Sequence, residues 1–238
     1  LKYYYPVEFM AAMLNSFLGN LDKAANYIRV CEKSNIPILP PDINKSEVRF
    51  KPEQNGIRFA LGGIKNVGIK AISQVIAERN MNGEFKSFGD FIARISNYDI
   101  NRKVVESLIK SSALDVFKIP RVQLMAVHED FMNSVQRSKQ QSMAGQLSLF
   151  DFDVISDAKT VEPKYQPTLQ EYSLSRRLAM EKEVLGVYIS GHPLDDYQSA
   201  INNLVTLQTS KLVFKENLED RTETADDFLL EQQTLAVT

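Results

Sequence analysis

Residues 62–79 read GGIKNVGIKAISQVIAER. An apolar residue, Ile64, leads into Asn66-Val67-Gly68, and a stretch rich in Ala and Ile at helical spacing comes next. This is the layout of a helix-hairpin-helix. Gly68, with Asn66 as the next most tolerant residue, lets the backbone turn sharply. The amides of the turn and of the next helix's first residues then point outward unpaired. A helix N-terminus of that kind accepts a phosphate, aided by the helix dipole. Lys65 and Lys70 flank the turn and add charge, so the candidate contact set is Lys65, Asn66, Val67, Gly68 and Lys70. Such a contact grips the backbone of a nucleic acid without reading its bases. The competing reading is a tight inter-helix turn with a packing role only.

Upstream, SEVRFKPEQNGIRFALGGI (46–64) alternates apolar and polar residues on both sides of Asn55-Gly56, a β-hairpin signal because both residues tolerate positive φ. Two helices are expected before it, over 3–18 and 21–34, from Val7, Met10, Ala11 and Leu14 and from Ala24, Tyr27, Ile28 and Cys31. Pro37, Pro40 and Pro41 end that pair. Downstream, helical spacing recurs at Ala71, Val75 and Ile76, at Phe88, Phe91, Ile92 and Ile95, and at Val104, Val105, Leu108 and Ile109. It closes with the stripe Leu124, Val127, Phe131 and Val135, so 57–135 reads as a compact all-helical module. Within it NRKVVESLIKSSALDVF (101–117) is a weaker copy of the first motif, with Ser111-Ser112 in place of the glycine-bearing turn. It either packs against the first copy or adds contacts through Arg102 and Lys103.

Residues 136–170 lose the periodicity and carry Ser, Gln, Lys and Pro, which predicts a linker. A last helix is expected over 172–189, with Leu178, Glu181, Leu185 and Tyr188 on one face and a stop at Gly191-His192-Pro193. The pattern is weak after Leu204, and QQTLAVT suits a first strand of a further domain.

The 238 residues suffice for two compact units at roughly 100–200 residues per domain. The net charge of -2 argues against nucleic acid, but its distribution does not. Between Arg58 and Arg121 eleven Lys and Arg face six acids, whereas from Lys215 onward two basic residues face seven acidic ones. No apolar run approaches the roughly 20 residues of a membrane span, and no signal peptide opens the chain. One cysteine, Cys31, excludes an internal disulfide and suits a reducing cytoplasm. With His128 and His192 far apart, a zinc site lacks ligands. The chain opens at Leu1 inside an amphipathic pattern, which suggests a piece of something longer.

The carboxylate pairs Asp151/Asp153, Glu181/Glu183, Asp195/Asp196 and Asp226/Asp227 are the material from which a two-metal site is made, but none sits on a rigid strand, and all read as solvated charge. No nucleophile has a base and no Walker loop is present, so no catalytic residue, cofactor or metal ligand is assigned. His128 reads as a half-buried packing residue, His192 as a turn residue, and Tyr3-Tyr4-Tyr5 as core rather than a stacking platform for bases.

The stretch SMAGQLSLFDFDV (142–154) places Leu147, Leu149, Phe150 and Phe152 after a polar run, where they are either stray core residues or a lure for another protein. Taken in order, YYPVEFMAAMLNS, ILPPDINKSEVRF, IRFALGGIKNVG, NRKVVESLIKSSALD, GQLSLF and EKEVLGVYISGHPLDDY closely resemble the bacterial DNA polymerase III alpha subunits, the C-family replicative polymerases. The resemblance runs from residue 1 to about 200, and LPPDIN and EKEVLGVYISGHPL are its most specific parts.

The resemblance implies a mainly α chain in four parts: the end of the fingers with the start of a β-hairpin (1–56), a tandem helix-hairpin-helix module on the duplex (57–135), a clamp-binding region with linker and helix (136–200), and the start of an oligonucleotide-binding barrel (201–238). It implies a DNA-directed DNA polymerase, a nucleotidyltransferase whose catalytic aspartates and magnesium lie outside this chain. The implied partners are double-stranded DNA, other polymerase III holoenzyme subunits, and the ring-shaped sliding clamp (the beta subunit), bound through Gln146, Leu147, Ser148, Leu149 and Phe150. Ser112 stands where the family usually has glycine. The alternative is a stand-alone repair or adaptor protein that combines the same DNA-binding motif with a clamp peptide.

Overall fold

The computed structural model describes residues 2–98, 100–143, 162–166 and 168–197, with side chains omitted for 141–143 and 196. The expected clamp peptide Gln146–Phe150, the acid pairs at 151/153 and 226/227, and the expected barrel start at 201–238 lie outside them. Leu1–Pro193 forms one compact unit, and the expected boundaries at 56 and 135 fall inside it. Of a second unit, Leu194–Thr238, the described residues hold a single 3-10 turn, Asp195–Tyr197. No helix among the described residues is long and apolar enough to cross a membrane.

The first two helices are α1 (Pro6–Ser16), opened by a proline whose missing amide costs nothing at that position, and α2 (Leu21–Lys33), capped by the Asn20 side chain accepting from the Lys23 amide at 3.1 Å. Met10, Ala11 and Leu14 face Ala25, Ile28 and Cys31 in the core. Tyr3, Tyr4 and Tyr5 lie outside it, 88%, 78% and 58% exposed, which corrects the expectation of core.

The hairpin at Asn55-Gly56 forms as expected: β2 (Lys51–Glu53) pairs antiparallel with β3 (Gly56–Arg58), Glu53 opposite Gly56. The sheet also has a strand the sequence did not announce, β1 (Ile38–Leu39), parallel to β3 with Ile38 opposite Ile57. Its two residues sit among prolines and show no alternation, and only the return of the chain supplies the partner. At Gly56 the φ of +144° and the Pro37 carbonyl oxygen, 2.2 Å from where a Cβ would stand, leave no room for a side chain. Strand β3 begins the segment expected to be all-helical, so that expectation holds only from Leu61 onward.

The LPPDIN loop is fastened to the chain downstream of it. Arg79, 6% exposed, donates to the carbonyls of Ile43 (3.1 Å) and Ser46 (2.7 Å) and to Glu47 (2.9 Å). Asn44 exchanges two 2.9 Å hydrogen bonds with the backbone of Phe85.

Then come α3 (Ile69–Asn82), α4 (Phe88–Ile95), α5 (Arg102–Lys110), α6 (Arg121–Met143) and α7 (Leu174–Leu185). Ser87, Asn101 and Ser173 cap α4, α5 and α7 by accepting from amides three residues on. One hydrophobic core runs through all of them, from Met10 to Val187. Two ends differ from expectation. Helix α6 continues past Val135 to Met143, because Gln, Arg and Lys are good helix formers and sustain a helix without an apolar stripe. Helix α7 stops at Gly186, whose φ of +76° makes it a left-handed C-cap, and not at Gly191.

Candidate nucleic-acid interface

The turn at 64–70 hangs on two buried apolar residues, Ile64 and Val67, between which Lys65 and Asn66 stand exposed; Gly68, Ile69 and Lys70 are exposed as well. Asn66 carries the left-handed conformation, φ +65°. The turn thus owes its sharpness to Asn66, whereas Gly68 has φ −70° and ψ 137°, which any residue adopts. A Cβ on Gly68 would meet nothing within 4 Å. Neither backbone nor packing demands glycine there, and its absence of a side chain leaves the α3 N-terminus bare.

The amides divide into two sets. That of Lys65 donates to the Val184 carbonyl at 2.8 Å and that of Val67 to the Ile64 carbonyl at 3.1 Å. The first bond made inside α3 is from Ile72 to the Gly68 carbonyl, 3.0 Å, so Ile69, Lys70 and Ala71 have no acceptor within the helix. Gly68, the N-cap, supplies no side-chain oxygen. Lys65 and Lys70 have no ion-pair partner among the described residues. Beside the turn an open cleft of about 550 Å³ is lined by Gly19–Asp22 and by residues 62–67 and 69. Val67, one of the contact residues expected from sequence, is buried and packs into the core.

The second turn has the same backbone device in a different setting. Ser112 adopts φ +72°, the conformation for which glycine is suited. Yet Ser111, Ser112, Ala113 and Leu114 are all buried, and the Ala113 carbonyl accepts from the Ile43 amide at 2.9 Å. Lys110 is engaged by Glu106 (2.9 Å) and Glu183 (2.8 Å). Burial disfavours its charge, but those two carboxylates outweigh it and raise its pKa. At the start of α5, Arg102 is half exposed and pairs with Glu129 (3.3 Å) and Asn133 (2.7 Å), while Lys103 is exposed with no partner among the described residues. The first turn is tied to α5 by the Asn66 side chain, which donates to the Ser107 hydroxyl at 3.3 Å.

Among the described residues no three His, Cys, Asp or Glu side chains gather to hold a metal ion. Glu181 corrects the reading of the acid pairs as solvated: it is 0% exposed and bound to Arg121 at 3.1 Å, whereas Glu183, on another side of α7, is 53% exposed. The sequence alone does not reveal this pairing, because Arg121 is 60 residues away. His128 is buried more deeply than expected. Its Nδ1 lies 2.9 Å from the Met125 carbonyl, and its Nε2 has no hydrogen-bond partner among the described residues.

Residues 35–124, which contain both turns, match a family described as the helix-hairpin-helix motif. That defines the class of the module. Over longer stretches the chain is similar to the DNA polymerase III subunit alpha of Campylobacter jejuni (40% identity, 85% of this chain, 17% of the relative), of Borreliella burgdorferi (41%, 87% and 18%) and of Mycobacterium tuberculosis (38%, 82% and 17%). The chain is thus a relative of one segment of the DNA polymerase III alpha subunits, and it spans under a fifth of the length of the curated relatives it matches.

Proposed function

We propose that this chain is a non-catalytic part of a DNA-directed DNA polymerase of the polymerase III alpha kind, and that it grips the duplex backbone at the turn 64–71. One observation carries the reading: an uncapped helix N-terminus, left bare by Gly68 and flanked by Lys65 and Lys70, which have no ion-pair partner among the described residues, in a segment that matches the helix-hairpin-helix motif. A phosphate oxygen accepts from the amides of Ile69, Lys70 and Ala71, and the helix dipole and the two ammonium groups stabilise its charge. Because every phosphate is alike, the grip holds at any sequence, as a moving polymerase needs. Lys103 adds a weaker charge contact at the start of α5, with Arg102 beside it.

The second grip is Gln146–Phe150 on a sliding clamp. Leu149 and Phe150 are the anchors, each contributing roughly 1.5–3 kcal/mol on burial, and Gln146, with Leu147 and Ser148 between, is the hydrogen-bonding end. A contact of that size reaches about micromolar affinity. It suffices because the clamp encircles the DNA the turn holds, which raises the effective concentration. The described residues offer no donor set for the magnesium of a polymerase centre, and no step here passes through it.

Clamp binding is tested by surface plasmon resonance on the wild type and on Leu149→Ala/Phe150→Ala. A loss of at least tenfold is expected, and equal affinities would remove the clamp from this reading.

A further inference from the structure

The chain beyond the proposed clamp peptide returns to the module before it. Glu162 accepts from the Ser87 hydroxyl and from the Gly89 amide, the latter at 3.0 Å, at the N-terminus of α4. Glu171 accepts from the Arg121 amide at 2.8 Å. The end of α7 then reaches the turn 64–70 itself. The last four carbonyls of a helix have no partner within it. One of them, Val184, is satisfied by the amide of Lys65 at 2.8 Å. This brings the negative end of the α7 dipole to a residue whose side chain is a cation. The cap after it, Gly186, lies close to the start of α2: a Cβ there would stand 3.2 Å from the Leu21 Cβ.

The position of α7 is registered by Glu181. Its carboxylate accepts from the Arg121 guanidinium (3.1 Å), from the Ile189 (3.1 Å) and Ser190 (3.0 Å) amides and from the Ser190 hydroxyl. Arg121, 1% exposed, is held in turn by Asp115 at 2.7 Å. A buried carboxylate is tolerable only with donors on several sides, and these fix its direction. The helix bearing it has little freedom to slide, so Val184, three residues on, is placed.

We infer that α7 is a brace for the phosphate-gripping turn and that Glu181 is its positioning residue. The inference rests on the proposed grip for its function but not for its geometry. Residues 174–190 lie beyond the 35–124 match to the helix-hairpin-helix motif, so the working module is larger than the motif.

The test uses the full chain as wild type, Glu181→Gln and Ser190→Ala. Hydrogen exchange is read at the Lys65 amide and, as a measure of global opening, at the Leu14 and Phe91 amides, and binding of a short labelled duplex is read in parallel. Glu181→Gln is expected to speed exchange at Lys65 about tenfold more than at Leu14 or Phe91 and to weaken duplex binding about tenfold. Ser190→Ala moves both in the same direction about threefold, and decides the matter if Glu181→Gln does not fold. Exchange at Lys65 that merely tracks Leu14 and Phe91 in Ser190→Ala would overturn the brace. Failure of the grip is a separate result: Lys65→Ala/Lys70→Ala would then bind duplex like wild type, while exchange at the Lys65 amide still reports on α7.

Discussion

The two turns of this module use the same backbone solution and differ in their surroundings. Asn66 and Ser112 each place a non-glycine residue in the left-handed region, at φ +65° and +72°. Around Asn66, Lys65, Gly68, Ile69 and Lys70 are exposed and the lysines have no ion-pair partner among the described residues; around Ser112 the turn is buried and Lys110 is held by two glutamates. A hairpin between helices is thus an architectural device first. On the proposed reading it becomes a phosphate site only where the chain leaves the amides bare and the cations unneutralised. The comparison also corrects the importance attached to glycine. The residue that makes the first turn is Asn66, and Gly68 serves by having nothing where a side chain would stand.

The largest expected effect lies on the buried side. Arg121→Ala leaves Glu181 without its cation and is expected to cost about 3–5 kcal/mol, read as a shift of the denaturant midpoint. A loss under about 1 kcal/mol would mean that α7 is not fastened there. Next come two glycines with opposite consequences. Gly56→Ala drives a Cβ onto the Pro37 carbonyl and is expected to destabilise by about 2 kcal/mol or more. Gly68→Val is expected to change stability by less than about 0.5 kcal/mol while weakening duplex binding, because its branches cover the α3 amides. A smaller effect sharpens the contrast between the turns. Ser112→Gly relieves a left-handed serine and is expected to stabilise by about 1 kcal/mol, with duplex affinity unchanged. A gain in affinity would show that the second turn reaches DNA.

The smallest effect concerns pH. Glu78 accepts from Tyr98, Asn82 and Arg94, in that order of influence, and these hold its pKa below the ordinary carboxylate value. A depressed pKa contributes stability above the unfolded value and loses it as pH falls through the folded one. The tie between α3 and α4 is therefore expected to loosen below about pH 4 in wild type, and less so in Glu78→Gln. Amide exchange in α4 across that range measures it.

Local chemistry made much of this legible. Apolar spacing gave α1 to α5 and the seam of α6, Asn55-Gly56 gave the hairpin, and the run GGIKNVGIK led to the exposed turn. The features that stayed hidden depend on partners distant in sequence. Strand β1 has no pattern until β3 lies beside it. Glu181 reads as surface charge until Arg121 faces it. The last turns of α6 carry no apolar stripe, and what holds Lys139 there is Asn97, 42 residues away. That Val67 is the residue of the turn that points inward is likewise not legible, since sequence does not say which residue of a turn does so.

The central claim is that the turn 64–71 holds phosphates and the second turn does not. The most direct measurement is the slope of log affinity against log salt for duplex binding by wild type, Lys65→Ala/Lys70→Ala and Lys110→Ala. At about 0.9 per phosphate contact, the double substitution is expected to flatten the slope by about 1.8 and Lys110→Ala to leave it unchanged. A slope the double substitution does not alter, or one that Lys110→Ala flattens equally, would contradict the account.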